Sequence, residues 1–227
     1  MLRLGGYVPC SSVDYPDKLA AVVFCRGCAW NCAYCQNAHL RPAAFPAEMG
    51  WQEVRDALER RRGLLDAVVF SGGEPLLQAG VVQAAQEARD MGFLVGLHTA
   101  GSSPDRLRRL LPLVDWVGLD IKAPWRKYDA LTGIPGSAAK AEASARMLLA
   151  SGVACEFRTT VHPSLLNQAD LAEMADWLSS QGARHYVLQA CRPAGNACSL
   201  PVVPAGYLRN SGVAILEDRF ERFEVRE

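Results

Sequence analysis

Long hydrophobic runs are missing from this chain. Its apolar stretches are strand-length, far below the ~20 residues that a membrane-spanning helix needs. The opening residues, Met1-Leu2-Arg3-Leu4-Gly5-Gly6, hold no sustained apolar core, so no secretory signal is expected there. Charge of one sign is missing too: 24 Lys and Arg balance 24 Asp and Glu. That is not a composition built for polyanions, so nucleic acid is not an expected partner. Internal repeats and low-complexity linkers are also absent, and nothing marks a domain boundary. Residues 1–227 are therefore read as a single domain, long enough to bury a sizeable core. A cytoplasmic protein with no membrane partner is the expectation. In a reducing compartment, eight cysteines point to metal or redox chemistry rather than a disulfide scaffold.

Three of those cysteines organise the chain. Cys28, Cys32 and Cys35 stand at C-x3-C-x2-C spacing, directly after the apolar run Ala20-Ala21-Val22-Val23-Phe24. That run is too short for a helix and reads as a buried strand, which places the cysteines on the loop leaving it. Three thiolates can hold a soft metal, and a [4Fe–4S] cluster takes one thiolate per iron. Three ligands would leave one iron open, which makes a site chemical rather than structural. Two other readings stay open on spacing alone. His39 lies just beyond and would complete a tetrahedral Cys3His zinc site, and the thiols could be a disulfide or plain core residues.

The rest of the chain alternates between strands and helices. A helix is expected over Trp51–Arg62, with Trp51, Val54 and Leu58 on one face. Strand Ala67–Phe70, helix Ala79–Met91 and strand Phe93–Leu97 follow. Ser103-Pro104 opens another helix as N-cap and first helical position. Then come strand Val114–Ile121, helix Ala138–Ala150, strand Cys155–Val161, helix Gln168–Ser180 and strand Tyr186–Gln189. A helix after Pro204 and a strand over Val213–Leu216 complete the reading. This alternation predicts an α/β fold with a parallel sheet built by right-handed crossovers. About six units fit, short of the eight in a closed barrel. The unusual residues all fall at carboxyl-terminal strand ends, the rim where such folds place active sites: the cysteine loop, Ser71-Gly72-Gly73-Glu74, His98-Thr99, Asp120 with Lys122, Arg158 and Gln189.

The C-x3-C-x2-C run, with Tyr34 just before its third cysteine, resembles the signature of the radical S-adenosylmethionine (SAM) superfamily. The longer block from Ser11-Ser12-Val13-Asp14-Tyr15-Pro16-Asp17-Lys18 through Cys35-Gln36-Asn37 resembles one branch of it, the glycyl-radical-enzyme activases. It is most similar to the activating proteins of anaerobic ribonucleoside-triphosphate reductase. The likeness continues through Ser71-Gly72-Gly73-Glu74-Pro75, Gly118-Leu119-Asp120-Ile121-Lys122-Ala123-Pro124 and Glu156-Phe157-Arg158-Thr159-Thr160. It implies a partial (β/α)6 TIM-like barrel. It also implies a [4Fe–4S] cluster on Cys28, Cys32 and Cys35, with SAM on the open iron. The expected partners are a glycyl radical enzyme, most specifically the anaerobic reductase, and an electron donor such as flavodoxin or ferredoxin.

The resemblance also assigns SAM contacts. Gly72-Gly73-Glu74 is the motif that holds the methionine amino group; as residues alone, a double glycine is also an ordinary tight turn. Asp120 and Lys122, charged at the end of an apolar strand, are SAM contacts by resemblance and otherwise a structural ion pair. Arg158 could clamp the SAM carboxylate or form a surface salt bridge. Tyr34 is placed near the adenine, or packs the loop. Related activases carry an acid and an asparagine where this chain has His98 and Ala100, and use the acid, a threonine and an aspartate as a monovalent-cation site. A histidine brings no fixed negative charge, so that site is expected to be lost although Thr99 and Asp120 remain. Cys191 and Cys198 flank a rim segment and are read as either a second metal or redox pair or two ordinary thiols.

Overall fold

The apolar runs become parallel strands of one sheet. The computed structural model describes residues 2–42, 49–192 and 200–227. Its strands are β1 (Arg3–Ser11), β2 (Ala20–Cys25), β3 (Met49–Gly50), β4 (Ala67–Gly72), β5 (Leu94–Thr99), β6 (Trp116–Asp120), β7 (Ala154–Val161), β8 (His185–Ala190) and β9 (Arg222–Arg226). They pair in the order β3-β1-β2-β4-β5-β6-β7-β8-β9. From β2 to β9 every pairing is parallel, while β1 runs antiparallel to both β2 and β3. The helices are α1 (Trp51–Glu59), α2 (Gly80–Asp90), α3 (Pro104–Leu110), α4 (Trp125–Thr132), α5 (Ser137–Ser151) and α6 (Gln168–Ser180). This is the expected α/β open partial barrel. No helix among the described residues is long and apolar enough to cross a membrane.

Both faces of the sheet are covered, which is why its strands read as continuous apolar runs. Ala21, Val23, Val68, Phe70, Val95 and Leu97 join the large core beneath the helices. Alternate residues Ala20, Val22, Ala67, Val69 and Trp116 form a second cluster inside the barrel, capped by Tyr15. The other half of the lumen wall is charged. Arg226 grips Glu156 with both terminal nitrogens at 3.0 and 3.1 Å, and His185 meets Glu224 at 3.0 Å. Glu156 is buried, so this pairing is what lets a carboxylate sit there.

The structure departs from the sequence reading at both ends. Arg3–Ser11 is a full strand, interrupted in pattern by Gly5, Gly6 and Pro9. A side chain at Gly5 would meet Leu40 at 2.4 Å, so the glycine is a packing requirement. Helix α4 was not foreseen. It starts at Trp125, just after Pro124, and stops at Gly133, whose left-handed φ of 68° ends it after eight residues. The expected strand over Val213–Leu216 is wrong: Val213–Arg219 is a 3-10 helix, and the last strand lies at Arg222–Arg226. No α-helix follows Pro204 among the described residues; the segment forms 3-10 helices at Arg209–Ser211 and Val213–Arg219 instead. Helix α1 ends at Glu59, short of Arg62. Cys198 and residues 43–46 of the connector after the cysteine loop lie outside the described residues.

Candidate active site

The cysteine loop leaves β2 and is pinned from two sides. On one side Gly27 N–H donates to the Leu40 carbonyl at 2.7 Å and Cys28 N–H to Arg41 at 3.2 Å. On the other, Asn31 N–H donates to the Thr132 carbonyl at 2.7 Å, at the end of α4. Trp30 packs edge-on against Tyr128 of the same helix, with ring centres 5.6 Å apart. The Trp30 N–H points at Cys28 Sγ, 3.4 Å away. Cys28, Cys32 and Cys35 all line one cavity of about 960 Å³, while His39 does not reach it. None of the described cysteines is in a disulfide. Among the described residues, no three His, Cys, Asp or Glu side chains are gathered tightly enough for a single metal ion. The three thiols thus share one cavity wall that His39 does not join.

The double glycine sits directly against this loop. A Cβ on Gly72, whose φ is +110°, would lie 2.4 Å from Cys25 N; one on Gly73 would lie 2.4 Å from the Gly27 carbonyl oxygen. The two segments are zipped together by Gly73 N–H to Cys25 O at 2.8 Å and Glu74 N–H to Gly27 O at 2.9 Å. Gly72 and Gly73 line the cavity; the buried Glu74 does not. Its carboxylate turns inward and accepts from Thr99 Oγ1 at 2.6 Å, Ala100 N–H at 2.9 Å and Leu76 N–H at 2.9 Å. Burial pushes the Glu74 carboxyl up, and these three donors offset only part of the rise.

Thr99, Asp120, Lys122, Arg158 and Tyr34 complete the set, all on the cavity wall. Asp120 lies between two cations: Arg158 Nε at 3.1 Å and Lys122 Nζ at 3.4 Å. Burial pushes the Asp120 carboxyl up, but Arg158 and Lys122 outweigh it and hold the group below its ordinary value. Arg158 is no surface salt bridge. It is 8% exposed, and Nη2 also donates to the Gly118 carbonyl at 3.1 Å. Lys122 hangs over the Tyr34 ring, 5.7 Å from its centre. The Tyr34 hydroxyl is buried with no hydrogen-bond partner among the described residues.

Residues 22–178 match the family model of the radical SAM superfamily. The chain belongs to the radical SAM superfamily. Members of this family use a [4Fe–4S] cluster and S-adenosylmethionine. The chain is 29% identical over 192 residues to a protein of Methanocaldococcus jannaschii provisionally named a glycyl-radical-enzyme activating enzyme, covering 76% of this chain and 73% of that one. It is 28% identical over 169 residues to pre-heme d1 synthase of Dinoroseobacter shibae, which spans 72% of this chain but only 41% of the synthase. The fold matches the crystal structure of QueE from Escherichia coli with a TM-score of 0.61 at 13% identity, over 99% of this chain and 93% of that one.

In this radical SAM chain, burial pushes the Cys28 thiol up to about 12, with the Glu74 carboxylate adding to it; Lys122 is the nearby cation that opposes the shift. The sequence reading missed the supporting parts of the site. Trp30, Asn37, Arg192, Arg209 and Arg226 also line the cavity. Only the pattern of β9, with a charge at every second residue, gave a signal that Arg226 faces inward. Cys191 is buried but is not among the lining residues.

Proposed function

We propose that this radical SAM enzyme is an activase that abstracts hydrogen from a glycine α-carbon of a partner enzyme, most specifically anaerobic ribonucleoside-triphosphate reductase. The observation that carries the reading is the shared cavity: three cysteines at C-x3-C-x2-C spacing, the Gly72-Gly73 backbone and the Asp120–Lys122–Arg158 group open into the same space. The donor set fits a cluster, being three soft thiols that line one cavity at C-x3-C-x2-C spacing. In this assignment Cys28, Cys32 and Cys35 hold the [4Fe–4S] cluster, and Tyr34, Gly72, Gly73, Thr99, Asp120, Lys122 and Arg158 contact SAM. Glu74 acts behind them, fixing the double-glycine loop to the end of β5. When bound, the cluster and SAM supply a 5′-deoxyadenosyl radical generated by one-electron reduction, with flavodoxin or ferredoxin as the electron donor.

The chain's own residues then hold, orient and shield. Asp120, flanked by two cations, presents an ionised carboxylate at neutral pH that can accept from a ligand ammonium. Lys122 and Arg158 offset its charge, so no monovalent cation is required beside it. Apolar Phe24 and Trp30 in the wall limit water around a reactive species. The partner assignment is supported by the relative from M. jannaschii and by the activase-like block Ser11–Lys18.

Anaerobic reconstitution should give about four iron and about four sulfide per chain, and reduction with SAM should release 5′-deoxyadenosine. Adding the reductase should produce a glycyl-radical doublet by electron paramagnetic resonance. Colourless protein holding one zinc would end the reading. A second reading keeps the chemistry and changes the acceptor to a small molecule or peptide. It is favoured by Arg192 and Arg209, two exposed arginines on the cavity wall that suit a carboxylated compound, and by the likeness to pre-heme d1 synthase. A loaded enzyme that turns over with a small acid and gives no radical on the reductase would select it.

A further inference from the structure

We propose that His98 is a positioning residue: it latches the segment Ser11–Lys18 across the barrel and thereby sets the acceptor-facing wall of the cavity. This segment joins β1 to β2 and crosses the lumen. Tyr15 anchors it among Ala20, Val22, Ala67, Val69 and Trp116, with its ring 5.4 Å from that of Trp116. Gly96 makes room for it, since a Cβ there would lie 3.0 Å from the Tyr15 ring and 2.9 Å from Val69. His98 lies two residues further along β5, on the same face. Its Nε2 is 2.9 Å from the Asp14 carbonyl oxygen and its Nδ1 is 3.3 Å from Ser71 Oγ. Burial pushes the imidazole down to about 3, so the ring carries one proton; a carbonyl can only accept, so that proton is on Nε2 and Nδ1 accepts from the Ser71 hydroxyl. The ring is also held edge-on to Trp116, with centres 5.5 Å apart.

One neutral imidazole therefore joins three walls of the cavity: the crossing segment, β5 and the strand end that carries the double glycine. A carboxylate in its place could not donate to the Asp14 carbonyl. The latch determines what the crossing segment presents. Val13 and Asp14 both line the cavity, and Val13 is 85% exposed. An apolar side chain held out at that mouth meets whatever enters. The acceptor half of this inference rests on the activase reading above; the latch itself does not.

Two amide variants separate the two ring nitrogens. The His98→Asn amide reaches only as far as Nδ1, so it keeps Ser71 and loses Asp14. The His98→Gln amide reaches as far as Nε2 and can keep the Asp14 bond. Hydrogen–deuterium exchange of the metal-free protein, read on peptides covering residues 11–18, should rise about tenfold in His98→Asn and stay within about twofold of the parent in His98→Gln. Peptides from β2 and β4 should not change. No rise in His98→Asn, an equal rise in both variants, or a rise across the whole sheet would each overturn the latch. With the reductase as acceptor, His98→Asn should raise KM about tenfold and change kcat by less than about twofold, with His98→Gln near the parent. A loosened segment with an unchanged KM overturns the wall role. A parent enzyme that never activates the reductase refutes the activase reading and leaves the exchange result to decide the latch.

Discussion

Replacing Gly73 with alanine tests whether the double glycine is an interlock with the cysteine loop as well as a ligand contact. The new Cβ would sit 2.4 Å from the Gly27 carbonyl oxygen and 2.9 Å from its carbon, below the 3.0 Å that real side-chain carbons respect. The neighbour is backbone, so the strand end and the loop must part by roughly half an ångström or more in a tightly packed region. That movement strains two hydrogen bonds, Gly73 N–H to Cys25 O and Glu74 N–H to Gly27 O. Weakening two buried backbone bonds and the contacts around them costs about 2–4 kcal/mol. For a chain of this size each kcal/mol moves Tm by about 2–4 °C, so differential scanning calorimetry of the metal-free protein should read a loss of about 5–15 °C. Gly92→Ala is the control. Its φ of +91° is unfavourable for alanine, but nothing lies within 4 Å, so it should cost only about 1–2 kcal/mol. Because Gly27 precedes Cys28, Gly73→Ala should also lower reconstituted iron, and Gly92→Ala should not. A Gly73→Ala protein that melts no lower than Gly92→Ala and loads iron normally would refute the interlock.

Three other outcomes follow from the same geometry. Gly118→Ala puts a carbon 2.7 Å from Arg158 Cζ and displaces the guanidinium from Asp120; SAM affinity should fall about tenfold by isothermal titration calorimetry with iron content unchanged. Cys28→Ala should lose reconstituted iron, whereas His39→Ala should keep it, measured by metal analysis; loss of metal in both variants would restore the zinc site. Burial pushes the Asp170 carboxyl up, but Lys127, the Asn167 N–H and Arg126 prevail and hold it below its ordinary value. Its stabilisation is therefore present above the ordinary carboxylate range and lost as pH falls through the depressed folded value. Asp170→Asn should cost about 2 kcal/mol at pH 7, kept small because Arg126 and Lys127 are 53% and 37% exposed, and the gap in Tm should close on acidification.

What the sequence disclosed depended on how one-sided each environment is. Helix α6 was legible to the residue, because Asn167 caps it, Asp170 returns the bond and Gly182 follows its end. The central strands were legible because both faces are apolar. β9 was not: Arg222, Glu224 and Arg226 bring charge into the barrel, which inverts the usual pattern, and the eye settles on the apolar Val213–Leu216 instead. α4 hid because eight residues between a proline and a glycine look like a loop, yet its Thr132 carbonyl and Tyr128 ring support the cysteine loop. Ten of the predicted site residues share the cavity, and the exception is instructive. Glu74 stands in the motif, but burial and three donors engage its carboxylate away from the cavity. Spacing locates a residue on a rim; it does not say which way the side chain turns.

Among the described residues, the sheet begins at β3 and ends at β9, and these two borders do not pair. A sealed ring would admit only a molecule small enough, or a free chain end slim enough, to be threaded through its mouth. A cylinder with a lengthwise seam imposes no such condition. On the activase reading proposed above, a stretch of polypeptide would be laid in sideways, with both of its flanks still folded into the body of another protein, and withdrawn the same way afterwards.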